Sequence, residues 1–199
     1  MNRLTGIFTA AILVMLPTLG FASTWNIDAD HSSVGFKVRH LMVSNVKGGF
    51  GKVQGVVYVD EKDITKSKVN ATIDTTSIDT GVAKRDAHLK SPDFLDVEKF
   101  PTMTFVSTKI ARDGADKLKL TGDLTLHGVT RTVVLDVEGP SGEIKDPMGN
   151  IRRGASAETK INRKDFGLTW NKMLEAGGVA VGDEVAISIE VELIKAAEK

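Results

Sequence analysis

Apolar and polar residues alternate along most of this chain with the two-residue period of a half-buried β-strand. The clearest run is 118–126. There Leu118, Leu120, Leu124 and Leu126 share one face, with Gly122 in the same row, and Lys119, Thr121, Asp123 and Thr125 take the other. His127 continues the polar face and is expected to shape the turn that follows. Val34, Phe36 and Val38 alternate with Gly35, Lys37 and Arg39, which puts His40 at the end of the apolar row and Leu41 on the opposite side. Val69, Ala71 and Ile73 alternate in the same way with Asn70, Thr72 and Asp74. Further strands are expected at 25–28, 46–59, 103–107, 133–137, 155–163 and 185–193. Phe166, Leu168 and Trp170 are expected to extend the strand ending near Arg163 after a break.

Two features shape these strands into an architecture. Gly48, Gly49, Gly51 and Gly55 lie within strand-like sequence. Their spacing contains no G-x-G-x-x-G, so they read as bulges or bends of a coiling sheet and not as a phosphate loop. Many short strands, each with one apolar face, call for a barrel or a sandwich. The glycines favour an all-β, closed, elongated antiparallel barrel of about eight strands, wide enough for side chains or one slender ligand. A single short helix is expected near residues 82–90, capped by Asp79 or Thr80.

The stretch from Arg85 to Phe100, RDAHLKSPDFLDVEKF, breaks the alternation. It crowds both signs of charge and a histidine ahead of Pro101, as a lid or mouth on a sheet scaffold does, and as an ordinary solvated connection does too.

Composition narrows the setting. The chain has 199 residues, enough for one domain with an unstapled core. Arg3, an apolar run over 6–19 and Gly20-Phe21-Ala22 read as an export signal, residues 1–22, leaving a single domain at 23–199. That run is shorter than the ~20 residues of a membrane span. The mature protein is therefore expected to be periplasmic and not stably inserted in a membrane. Residue 23 is serine, so a lipidated cysteine is not expected there. With 26 basic and 26 acidic residues, the surface as a whole offers no electrostatic footprint for nucleic acid or an anionic membrane. There is no cysteine, which excludes disulfides, thiolate metal sites and cysteine nucleophiles.

Seven short motifs then occur in a recognisable order. They are Trp25-x-Ile27-Asp28-x-x-His31-Ser32, Phe36-x-Val38-x-His40-Leu41 and Arg85-Asp86-x-His88-Leu89-x-Ser91-x-Asp93-Phe94-Leu95-Asp96. Phe100-Pro101, Gly122-Asp123-Leu124-Thr125-Leu126-His127-Gly128, Asn162-Arg163-x-Asp165-Phe166-Gly167 and Val181-Gly182-Asp183-Glu184-Val185 follow. In this order they resemble the YceI family of exported, lipocalin-like barrels. The resemblance covers essentially the whole mature chain. It implies an elongated barrel that binds a polyisoprenoid, an isoprenoid quinone or a fatty amide, with no cofactor other than such a lipid.

A long-chain ligand needs an aliphatic and aromatic tunnel, where burial contributes about 0.8 kcal/mol per CH₂. Val34, Phe36, Val38, Ile73, Phe105, Leu120, Leu124 and Ile189 are candidate walls, with Phe94 packed inward from the mouth. The same positions also suit an ordinary core without a cavity. Donors for a phosphate or amide head are sought at Arg39, His40, Arg85, His88, Arg163 and Trp170. Pairing of these bases with Asp86, Asp93 or Asp165 is the other reading.

An enzyme acting on a lipid ester or prenyl phosphate is the rival class. No G-x-S-x-G elbow is present, although a triad need not be local in sequence. The four histidines, His31, His40, His88 and His127, lack helical i, i+4 spacing, so no metal is expected. Oligomeric state, including a homodimer, is left open.

Overall fold

The computed structural model describes residues 22–175 and 177–197. Apart from Ala22, the expected export signal lies outside them. Twelve strands form one sheet: β1 (Ala22–Ile27), β2 (Ser33–His40), β3 (Ser44–Phe50), β4 (Val53–Asp60), β5 (Lys68–Asp74), β6 (Ile78–Asp79), β7 (Thr102–Arg112), β8 (Lys117–Leu126), β9 (Val129–Glu138), β10 (Ile144–Lys145), β11 (Ile151–Asn162) and β12 (Val181–Lys195). Among the described residues one α-helix, α1 (Ala83–Lys90), interrupts them, with short 3-10 turns at Ile64–Lys66, Thr75–Ser77 and Arg163–Phe166. Among the described residues no helix is long and apolar enough to cross a membrane.

The register reduces these strands to a simpler object. β1 and β2 lie end to end along the same edge of β12, with Trp25 opposite Lys195 and Val34 opposite Ile189. They act as one stave, broken at 28–32. β3 and β4 form a second stave against them, and β5 and β6 a third. β7, β8, β9, β11 and β12 complete an antiparallel barrel in which each stave pairs with its neighbour in sequence. The β11–β12 ladder, from Arg152 opposite Ile194 to Asn162 opposite Glu184, and the β12 contacts with β1 and β2 close the ring. The fold is the expected all-β closed barrel with one short helix.

The burial follows the alternation. Along β8, Leu118, Leu120, Gly122, Leu124 and Leu126 are buried, and the intervening polar residues are not. Connections 41–43, 80–101, 127–128 and 163–180 gather at one end, called here the mouth. Connections 61–67, 113–116 and 139–150 lie at the other end, the base.

Two local expectations are corrected. The helix begins at Ala83, but neither Asp79 nor Thr80 caps it; the N-cap is Val82, without a side-chain bond. Asp86 instead reaches back and accepts from the Thr80 backbone N–H at 2.9 Å, while Asp79 accepts from the Gly81 N–H at 2.7 Å. Phe166, Leu168 and Trp170 do not continue a strand either. Arg163–Phe166 is a 3-10 turn, in which the Asn162 side chain accepts from the Lys164 N–H and Gly167 ends the turn at φ 77°. An Asx residue before a glycine in the left-handed region stops a strand by satisfying its backbone locally.

Candidate functional site

The barrel encloses a cavity of about 310 Å³, near the low end of the ~300–1,000 Å³ usual for ligand pockets. Val34, Phe36 and Val38 of β2 line it, with Ile73 of β5, Phe105 of β7 and Leu120 and Leu124 of β8. Ile189 of β12 completes this set of sequence-predicted walls. Gly122 is a wall device of its own. A Cβ there would stand 2.3 Å from Phe105 Cζ, so the missing side chain is what lets the Phe105 ring lie across β8.

The mouth is covered by the segment that broke the alternation. Leu89, Phe94 and Leu95 face the lumen from 80–101, and Phe94 and Leu95 are buried. The turn after α1 is held by its own backbone, with the Leu95 N–H donating to the Leu89 carbonyl and the Phe100 N–H to the Asp96 carbonyl. Outside Phe94 stands an aromatic trio. His88 packs edge-on to Phe94 at 5.0 Å and to Trp170 at 4.8 Å, and Phe94 lies tilted by 46° against Trp170 at 5.1 Å. The His88 ring is oriented by Asp93, 2.8 Å from its Nε2. Trp170 thus ties connection 163–180 to connection 80–101.

The polar candidates divide differently. Arg163 is buried at the edge of the lumen, yet all five of its N–H groups point at protein acceptors. Nε donates to the Gly182 carbonyl (2.9 Å), Nη1 to the carbonyls of Leu168 and Trp170, and Nη2 to the Val181 carbonyl and Asp183 (3.4 Å each). Burial lowers its pKa and Asp183 opposes that shift. Arg163 therefore staples the mouth connection to β12 and has no donor left over for a head group. Arg85 donates from Nε to the Thr80 hydroxyl (2.7 Å) and from Nη2 to the Thr80 carbonyl (2.9 Å). His40, half-buried at the end of β2, lies outside the lumen lining, as do Arg85, His88 and Trp170. Arg39 is on the outer face, its Nη2 on the Met42 carbonyl at 2.8 Å.

The base carries a second polar constellation that sequence reasoning missed. Arg152 donates to Asp28, Asp146 and Glu192, each at 2.6 Å. Arg152 is the first cause of the low pKa of Asp28, about 2, and it depresses Asp146 further still. Asp28 in turn raises the pKa of His31, which sits 2.9 Å away. This network joins the break between β1 and β2 to β11, β12 and connection 139–150. Asp28, His31 and Glu192 offer ligand atoms within 4.8 Å of one another. The Arg152 guanidinium already bridges the two carboxylates, so the group is a closed ion network. Beside it Trp25 is fully buried, its Nε1 donating to Ser23 at 2.7 Å under the Arg153 guanidinium, 4.8 Å from the ring. The adjacent arginines Arg152 and Arg153 gave no motif; only the aspartate in Trp25-x-Ile27-Asp28 hinted at a partner for this end.

A closed antiparallel barrel with an apolar lumen, a mouth covered by connection 80–101 and an ion network at the base defines a lipocalin-like barrel. Comparison with known proteins places it more narrowly. The model of the YceI-like domain matches residues 25–193, and the chain belongs to the YceI family. Protein YceI of Salmonella newport (strain SL254) is 41% identical over 185 residues, 92% of this chain and 94% of that protein. Among solved structures, BcnA of Burkholderia cenocepacia superposes with a TM-score of 0.70 at 25% identity, covering 83% of this chain and 98% of that one. The YCEI protein of Campylobacter jejuni gives 0.66 at 35% identity, over 80% and 90% of the two chains. A polyisoprenoid binding domain from Saccharophagus degradans shares the fold, with a TM-score of 0.60 at 15% identity over 86% and 98%.

Proposed function

We propose that this protein is an exported, periplasmic carrier that holds one long-chain amphiphile, of polyisoprenoid, isoprenoid quinone or fatty amide type, inside the barrel. The observation that carries this reading is the chemistry of the lumen. Among the described residues its lining is aliphatic and aromatic apart from a few hydroxyls and the saturated Arg163, with no carboxylate and no histidine. Such a surface favours a chain of CH₂ groups at about 0.8 kcal/mol each and has no acid–base pair to act on it. The head group sits at the mouth, near the His88–Phe94–Trp170 trio. The polyisoprenoid-binding description of the Saccharophagus degradans domain, which has the same fold, agrees with this ligand class. Mass spectrometry of organic extracts from the purified protein tests the reading. A stoichiometric long-chain lipid is expected; an empty barrel, or turnover of an added lipid ester, overturns it.

A further inference from the structure

The turn joining β2 to β3 is built from the wrong residues for its geometry. Leu41 and Met42 have φ of 49° and 61°, and the Val43 N–H donates to the His40 carbonyl at 3.1 Å. A β-turn with both central φ values positive favours Asn-Gly, because a side chain in the left-handed region costs on the order of 1–2 kcal/mol. Here large apolar side chains occupy it and point to solvent. Val43 is 76% exposed, Met42 49% and Leu41 40%.

A second tip stands against the first. Met173 bridges Val179, the Leu174 N–H donates to the Gly178 carbonyl, and the Ala180 carbonyl accepts from the Leu41 N–H at 2.8 Å. The open side of Gly178 faces Met42, and Met173 is 74% exposed. The two tips make one apolar prow on the rim of the mouth.

Charge identifies the occupant. Behind the prow, on the outer face of the β2–β3 ladder, Lys37 stands directly opposite Lys47, with Arg39 next in the row. Like charges facing across a ladder repel. Among the described residues none of the three has a carboxylate within salt-bridge distance. Glu184 pairs with Lys160 at 2.9 Å and Asp183 with Lys164 at 2.8 Å, while Asp79, opposite Gly49, accepts from the Gly81 N–H. Among the described residues, exposed Glu175 in the second tip is the one acid set among these bases. Lys172, at the root of the second tip, is exposed and also lacks an acidic partner. Overall neutrality conceals this local excess. An apolar tip followed by an unpaired basic face matches a bilayer, whose acyl boundary takes the first and whose anionic head groups take the second.

We infer that the Leu41–Val43 and Met173 tips, backed by Lys37, Arg39, Lys47 and Lys172, dock this barrel mouth-down on an anionic lipid surface. The docking stands on the prow itself; its use for loading and unloading a ligand rests on the carrier reading above.

Co-sedimentation of the purified protein with phosphatidylcholine vesicles, with and without an equal share of phosphatidylglycerol, tests it. The expected result is partition onto the anionic vesicles that falls as salt is raised. Lys37→Gln and Lys47→Gln each weaken it about fivefold, and Val43→Asp abolishes it with the thermal midpoint unchanged. No partition at low salt, or equal partition by wild type and Val43→Asp, overturns the inference. So does a concentration-dependent dimer in sedimentation velocity that Val43→Asp dissolves, because the prow then faces a second copy. Extracted lipid is measured on the same samples. Docking with an empty lumen defeats the carrier reading alone, and a loaded lumen without docking defeats this inference alone.

Discussion

The Phe105 ring lies where the side chain of residue 122 would be, with its Cζ 2.3 Å from the position of a Cβ on Gly122. The two strands are joined by a regular ladder on one side of this contact, Phe105 opposite Leu124, and by a bulge between Ser107 and Lys109 on the other. The glycine is thus required by the ring and by the neighbouring backbone alike, since the same Cβ would also stand 2.7 Å from the Val106 carbonyl oxygen. Gly122→Ala forces Phe105 off its rotamer and is expected to cost about 1–3 kcal/mol, read as a lower urea midpoint; Gly122→Asp also buries a charge and should prevent folding. An unchanged midpoint for Gly122→Ala would show that the ring moves aside freely.

Phe36 gives the opposite experiment. It is only partly buried, lines the lumen and meets Phe50 at 6.0 Å. Phe36→Ala enlarges the cavity, and long-chain ligand affinity should fall more than stability does. Fluorescent fatty-chain titration beside a thermal melt separates the two. Falls of equal size in both would make Phe36 plain core.

Arg85 is expected to be indifferent to the ligand head. Its Nε and Nη2 bonds both end on Thr80, which also binds Asp86, so the side chain ties the start of α1 to the end of β6. Arg85→Ala should cost about 0.5–1.5 kcal/mol per bond lost. It should weaken a prenyl pyrophosphate and a fatty amide of equal length alike. A loss confined to the pyrophosphate would return Arg85 to the head-group site.

The base predicts an acid limit. Asp28 is held at about 2, and Asp146 is also depressed, so their contribution to stability is complete above the ordinary 3.8 and disappears as pH falls toward 2. His31 has the opposite sign. Its raised pKa stabilises below 6.5, and that contribution is lost as pH rises through the folded value. Arg152→Met leaves Asp28 and Asp146 without their cation and should lower the urea midpoint at neutral pH. Urea midpoints across the acid range should fall steeply for wild type and hardly at all for Arg152→Met; parallel curves would remove Arg152 from the account.

The walls were legible because burial in a barrel imposes a period of two, which Leu118 to Leu126 display without exception and Val34 to Val38 follow apart from Gly35, which also reaches the lumen. The helix was legible to within a residue, but its cap was not. Asp86 caps Thr80 from inside the helix, a bond that runs against the usual direction. Arg163 read as a ligand donor because sequence reports a guanidinium and not the four carbonyls that converge on it. Arg152 was invisible for a related reason. Asp146 is brought to it by the β10–β11 hairpin and Glu192 by the β11–β12 ladder, but Asp28 lies 124 positions away and only closure of the barrel delivers it. The break at 28–32 looked like a turn between two strands, whereas the register shows one stave interrupted.

Seven of the eight joints between staves connect segments adjacent in the chain, and the last joins the first stave to the twelfth strand. Local hairpins form early at small entropic cost, but the final joint must close a loop that spans the domain. Until β12 docks, the molecule is an open sheet with two bare edges, each able to accept the terminal strand of another copy. Folding speed and strand exchange between molecules are therefore governed at one seam, where Trp25 faces Lys195. Arg152, which binds Glu192 and Asp28 across that seam, acts as its latch.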